Sequence, residues 1–374
     1  MSANKEEVLD MILDERKKLI LKAIIDSYID TAEPVGSRTI ARRHEIGLSS
    51  ATIRNEMADM EEMGLLEQPH TSAGRIPSVK GYRLYVDQLM PKRRLTVSEI
   101  EHIRSALKSK MINELGRLIN NVSAVVSDIT KYTSIAITPQ MNKSILRRSE
   151  ILPVYYDRLL VIIATDAGIV RNSLVTVAGG ISSSTVEMIS NFLNNMFAGK
   201  TLESINLESI KDEITLELGI DKNVIEPILE GVDGCIKQIF SSEVYLEGAT
   251  NIFNFPEFND ILKAKQFLDV LNTKDLLYAL MKRSIENNGG IKVRIGTENE
   301  FDEIKDCSVV TATYSVNNEI IGSIGVIGPT RMEYSKVIAS LNYVSKMINK
   351  EISRLFGVGS DNTGNNDNDD EPDY

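Results

Sequence analysis

From residue 13 onward apolar side chains recur at helical spacing. Leu13, Ile20, Ile24 and Tyr28 share one face and Leu21 and Ile25 widen it, which predicts a helix from Asp14 to Thr31. Two shorter helical patterns follow around a turn. Ser37 is placed to N-cap the first, with Ile40 and Ala41 turned inward and Arg38, Arg42 and Arg43 outward. The turn is His44-Glu45-Ile46-Gly47-Leu48, where Gly47 supplies a positive φ and Ile46 and Leu48 fill the angle between the helices. Ser49 or Ser50 caps the second helix, in which Ile53, Met57 and Met60 form the buried stripe. Leu65 to Gln68 and Arg75 to Ile76 read as two short strands around a polar loop, with prolines at edge positions. Lys80 to Met90 returns to helical spacing through Tyr82, Tyr85 and Leu89, and Pro91-Lys-Arg-Arg94 ends the pattern as a basic hinge.

The remainder switches between helix and strand periods. A long helical region from Ser98 to Thr130 precedes strands at Ser149 to Tyr156, Leu159 to Asp166 and Ile169 to Val177. Helices dominate from 184 to 287: Val186 to Met196, Ile225 to Phe240, Ile261 to Leu271 and Asp275 to Ile285. Among them lie a short strand at Glu243 to Leu246 and an apolar-aromatic run, Ile252 to Phe258, that reads equally as core or as interface. Strands return at Ile291 to Ile295, Ser308 to Val316 and Glu319 to Ile327, the last two joined by a hairpin turn at Asn317-Asn318. An amphipathic helix from Tyr334 to Phe356, with Val337, Leu341, Val344 and Ile348 inward, closes the pattern. The expectation is a multidomain α+β protein. Residues 1–90 form a winged helix-turn-helix and 91–97 a basic linker. Residues 98–183 and 288–358 are two parts of one α/β domain, 184–287 is a mostly helical insertion, and 359–374 is a disordered acidic tail.

Composition narrows the function classes. The chain has 374 residues and a net charge of −11, which argues at first against a nucleic-acid partner. The distribution reverses that: residues 36–94 hold ten Lys/Arg against seven Asp/Glu, while residues 361–374 hold six acids and no base. A local patch matters for DNA, not the sum. Cys235 and Cys307 are 72 positions apart with no C-x-x-C, and His44, His70 and His102 are scattered, so no metal site and no disulfide scaffold is indicated. No apolar run reaches the length of a membrane span and the N-terminus lacks an apolar signal core, so a cytoplasmic location is expected. The turn Ala178 to Ser184 lacks the glycine and lysine spacing of a phosphate loop and reads as a strand-to-helix turn capped by serine. Asp157, Asp166, Asp302 and Asp306 sit beside turns without a nucleophile–base pair, and no cofactor or catalytic residue is expected.

The second short helix carries the candidate chemistry. Opposite its apolar stripe lie Ala51, Thr52 and Asn55, flanked by Ser50 and Arg54. Small residues permit close approach to a groove, and hydroxyl, amide and guanidinium groups read base edges, Arg favouring guanine and Asn adenine. Ser50, Thr52, Arg54 and Asn55 are therefore the expected base readers, and Arg38, Arg42, Arg43, Ser49, His70, Thr71 and Arg75 the expected phosphate contacts. Asp59, Glu61 and Glu62 come later, at the end that lifts away from DNA.

Four runs then carry a resemblance. Glu33-Pro-Val-Gly-Ser-Arg-Thr-Ile-Ala41, Leu48-Ser-Ser-Ala-Thr-Ile-Arg-Asn-Glu-Met57, Thr71-Ser-Ala-Gly-Arg-Ile-Pro77 and Gly81-Tyr-Arg-Leu-Tyr-Val-Asp87 resemble the HrcA family of bacterial heat-inducible transcription repressors. The likeness is specific over the first ninety or so residues and looser beyond. It implies a GAF-like α/β domain interrupted by a dimerising insertion. It also implies a homodimer on an inverted-repeat CIRCE operator of groE- and dnaK-type chaperone operons, with activity maintained by the GroEL chaperonin and lost on heat stress. Two other classes stay open on the residues alone. One is a regulator with a small-molecule pocket near Arg331 or the Ala178 to Ser184 turn, and the other is an enzyme joined to a DNA-binding module.

Overall fold

The computed structural model describes residues 13–43, 46–107, 115–138, 144–166, 168–240, 243–286, 289–316 and 319–355. The expectations for His44-Glu45, for the Asn317-Asn318 turn and for the acidic tail lie outside the described residues.

The N-terminal unit follows the apolar stripes. Helix α1 (Glu15–Thr31) is capped by Asp14, which accepts from the Lys17 N–H, and buries Ile20, Leu21, Ile24 and Ile25. Helix α2 (Ser37–Arg43) begins one residue earlier than expected. Ser37 lies inside its first turn, and the Gly36 carbonyl accepts the Thr39 and Ile40 N–H groups. Helix α3 (Ser50–Glu62) buries Ile53, Met57 and Met60. Strands β1 (Leu66–Glu67) and β2 (Ile76–Pro77) pair antiparallel, and Val35 adds a bridge to Arg75. Helix α4 (Val79–Leu84) is capped by Ser78 and runs on as a wider π turn over Tyr85–Leu89.

Residues 91–96 carry no regular structure. The expected long helix appears as α5 (Val97–Leu107) and α6 (Leu115–Thr130). Strand β3 (Thr133–Ile137) follows, unanticipated because its apolar residues run straight on from the helix. Then come β4 (Leu146–Tyr155), β5 (Arg158–Thr165), β6 (Val170–Thr176), α7 (Ser183–Phe197), α8 (Leu207–Leu218) and α9 (Lys222–Phe240). The closing elements are β7 (Val244–Glu247), α10 (Ile261–Asn272), α11 (Lys274–Glu286), β8 (Ile291–Ile295), β9 (Cys307–Val316), β10 (Glu319–Pro329) and α12 (Tyr334–Leu355).

The pairing separates two sheets. One is antiparallel with the order β7-β3-β10-β9-β8, and the other is β4-β5-β6. The first is the GAF-like sheet, buried on both faces: Ala136, Val310, Ala312 and Val326 share a cluster with Val337, Leu341 and Val344 of α12. Ile135, Ile137, Val309 and Ile327 point the other way, to Phe267, Leu277 and Leu280 of α10 and α11. Burial on both faces explains why these strands read as apolar runs. The strands from Leu146 to Thr176, expected in this outer sheet, instead build their own sheet with α7 and α9 on one side. Periodicity identifies a strand but not its neighbours, so the excursion from the GAF-like sheet begins after β3 and not at residue 184. The Ile252 to Phe258 run is divided: Ile252 and Phe258 are buried in the core, Phe255 is half-buried against it, and Phe253 is exposed.

Candidate nucleic-acid interface

Helix α3 is presented by its own cap and by α1. Ser49 is the capping residue; its Oγ accepts the Thr52 N–H at 3.1 Å and lies 2.9 Å from the Thr52 Oγ1. Ser50 is thus the first helical residue, and its turn offers unsatisfied backbone N–H groups and a partial positive charge. Gly47 holds φ +70, as the turn requires. On the outward face Ala51, Arg54 and Asn55 are exposed and Ser50 and Thr52 half-buried.

Arg38, Arg42 and Arg43 are exposed on α2 beside this face. None of them, nor Arg54, pairs with a carboxylate among the described residues. The acids of α3 point the other way. Glu56 is nearly buried and meets Lys17 at 2.6 Å and Arg16 at 3.4 Å, and Asp59 meets Lys17 at 3.1 Å. The Glu56 hydrogen bond, with help from Asp59, raises the Lys17 ammonium above its ordinary pKa against the opposing effect of burial. Lys17 therefore fastens α1 to the back of α3. Nothing in the sequence spacing could have shown this, because the partners lie 39 residues apart and meet only through packing.

The wing places His70, Thr71 and Ser72 at an exposed tip. Gln68 stiffens it, its Nε2 donating to the Thr71 and Ala73 carbonyls at 3.1 Å each. Arg75 differs from the other expected phosphate contacts. Its guanidinium turns back onto Glu61 at 2.7 Å and is only 19% exposed, so it ties the wing to the end of α3.

The other candidates are engaged elsewhere. Arg331 binds Glu257 and the Ile29 carbonyl, and Ser182 caps α7 through the Thr185 N–H. Asp166 accepts from the Ile145 N–H, Asp302 pairs with Lys305 and Asp306 with Lys263. Among the described residues no group of three or more His, Cys, Asp or Glu is placed to hold a metal, and no helix is long and apolar enough to cross a membrane.

Two family models match the chain. Residues 12–89 match a winged helix-turn-helix transcription repressor model, HrcA DNA-binding, and residues 116–338 match the HrcA protein C-terminal domain. The chain is 54% identical over 349 residues to a heat-inducible transcription repressor HrcA of Ruminiclostridium cellulolyticum, covering 93% of this chain and 100% of that one. It is 50% identical over 347 residues to the repressor of the same name from Acetivibrio thermocellus, with 93% and 98% covered. A crystal structure of a hypothetical protein shares the fold with a TM-score of 0.63 at 22% identity, over 92% of this chain and 99% of that chain.

Proposed function

The chain belongs to the HrcA family of heat-inducible transcription repressors, and from that premise we propose that it acts in the cytoplasm as a homodimer on an inverted-repeat CIRCE operator of groE- and dnaK-type chaperone operons. The observation that carries this reading is the two-sided α3: its outward face holds Arg54, Asn55 and Thr52 beside Arg38, Arg42 and Arg43, which pair with no carboxylate among the described residues, while Glu56 and Asp59 are drawn onto α1 and Glu61 onto Arg75. Ser50, Thr52, Arg54 and Asn55 read bases in the major groove, while Arg38, Arg42, Arg43, Ser49, His70 and Thr71 hold phosphates. Arg75 joins them when DNA competes with Glu61 for its guanidinium.

A second copy fits the β4-β5-β6 sheet. Leu152, Leu160 and Leu174 lie in register across its three strands, with Ile162 and Val170 beside them. Leu152 and Leu174 are 45% and 54% exposed. A contiguous apolar sheet face is uncommon on a monomer, and pairing two such faces gives the two-fold symmetry that an inverted repeat requires. The GroEL chaperonin maintains the DNA-binding form, and unfolded proteins compete for it on heat stress. Control by a small molecule has less support, because Arg331 and Ser182 are taken up by contacts within the chain.

The test is a gel shift at fixed salt with an inverted-repeat chaperone operator and a scrambled duplex of equal length, with and without GroEL. Selective binding that GroEL strengthens is expected. Equal, salt-sensitive binding to both duplexes removes the operator assignment.

A further inference from the structure

Two arginines cross between the winged helix and the GAF-like domain in opposite directions. Arg331, just after β10, is anchored in its own domain by Glu257, which it meets through both Nε and Nη2, and its guanidinium lies 5.7 Å from the centroid of the Phe255 ring. From there Nη1 donates to the Ile29 carbonyl of α1 at 2.7 Å. Ile29 lies in the last turn of α1, where carbonyls lack helical partners and a cation is favoured. Arg83 reaches the other way from α4. It grips the Glu298 carboxylate with Nε at 2.9 Å and with Nη2, and Nη2 also donates to the Val293 carbonyl at 2.7 Å. Glu298 is itself held by the Ile295 N–H at 2.9 Å, so the grip has a fixed target.

Two such contacts leave rotation about one axis, and packing removes it. The Tyr82 and Tyr334 rings lie 6.0 Å apart. Gly296 lies so close to Val79 that a Cβ on it would come within 2.6 Å of the Val79 Cγ2. The only covalent link is the irregular 91–96 segment, which by itself permits many orientations. Both guanidiniums are taken up by contacts between the two domains.

We infer that Arg83 and Arg331 are positioning residues for DNA binding: they pin the winged helix to the GAF-like domain in one orientation, so that the dimer accepts one half-site spacing. This rests on the dimeric, inverted-repeat reading above. With the pins in place the second half-site is bound at a high effective concentration at one spacing and a low one elsewhere. Without them each winged helix swings on its linker, lowering that optimum and broadening the profile.

The experiment compares full-length wild type with Arg331→Ala, Arg331→Lys and Arg83→Lys. Each is checked for a native circular dichroism spectrum and melting profile. Binding is measured on a single half-site and on inverted repeats whose spacer is lengthened or shortened in single base pairs over half a DNA turn, about 5 base pairs. In parallel, spin labels at Glu67→Cys and Lys292→Cys, in chains diluted with unlabelled protein, report the distance between the two domains. Wild type is expected to lose about tenfold or more away from its best spacer. The folded variants are expected to keep half-site affinity, lose most of the preference and broaden the distance distribution. Folded variants with the wild-type spacer profile and an equally narrow distribution overturn the inference. If wild type binds one and two half-sites alike, the inverted-repeat reading fails, and the distance distribution alone decides whether the arginines pin the domain.

Discussion

Gly81 provides the sharpest check on the packing of the winged helix. It lies in the first turns of α4, where a Cβ would come within 2.2 Å of the Leu65 carbonyl oxygen and 3.2 Å of its carbon. That oxygen already accepts the Ser78 N–H at 3.1 Å, so it is held from both sides and cannot retreat by the ångström or so an alanine needs. Overpacking of this kind costs about 3 kcal/mol at the upper end of its range. The better helix propensity of alanine returns about 1 kcal/mol, leaving a net loss of about 2 kcal/mol, or roughly thirtyfold in the opening equilibrium. Gly64 is the control. Its φ is +71, but its Cβ would meet nothing within 4 Å. Gly64→Ala therefore costs only backbone strain, about 1 kcal/mol. The assay is hydrogen exchange of the α1 and α3 amides, read beside operator affinity as temperature rises. Gly81→Ala should speed exchange in both helices and lose binding at a lower temperature than Gly64→Ala. If Gly81→Ala matches wild type, or perturbs less than Gly64→Ala, the close approach of α4 to Leu65 is not what organises this domain.

Asn55→Ala should weaken operator binding by about 1–3 kcal/mol while leaving affinity for scrambled DNA and the salt slope unchanged; titration against both duplexes checks it. Arg42→Ala should weaken both duplexes alike and lower the salt slope by about one, read from binding constants across a salt series. Leu174→Lys puts a charge on edge strand β6 beside Leu160 on the β4-β5-β6 face and should shift sedimentation from dimer to monomer with α3 intact; an unchanged dimer places the interface elsewhere. Burial pushes the Cys235 thiol up to about 11 and the Cys307 thiol up to about 12. Thiolate is the reactive form, so both should resist a disulfide reagent at pH 8 until denaturant exposes them; rapid modification of the native chain would show that one is open to solvent.

The sequence by itself determined the local order of the winged helix. The stripe of Ile53, Met57 and Met60, a serine cap at 49 or 50, Gly47 in its turn and the two short wing strands are set by neighbours a few residues away, and the structure has each of them in place, with Ser49 as the cap. It also separated the outward arginines Arg38, Arg42 and Arg43 from the apolar face, because helical period alone assigns sides. Contacts distant in sequence were decided only on folding. The pairing of β3 with β10 and β7 and the ion pairs Lys17–Glu56, Arg75–Glu61 and Arg83–Glu298 join residues 14 or more positions apart, and it is the pairing of β3 with distant strands that leaves the β4 to β6 hairpins as a sheet of their own. Period tells which side of a strand or helix is buried but not which surface buries it. Arg75 and Arg331 show the result: a guanidinium that reads in sequence as a free cation is claimed in the fold by whichever carboxylate or carbonyl the packing brings within reach.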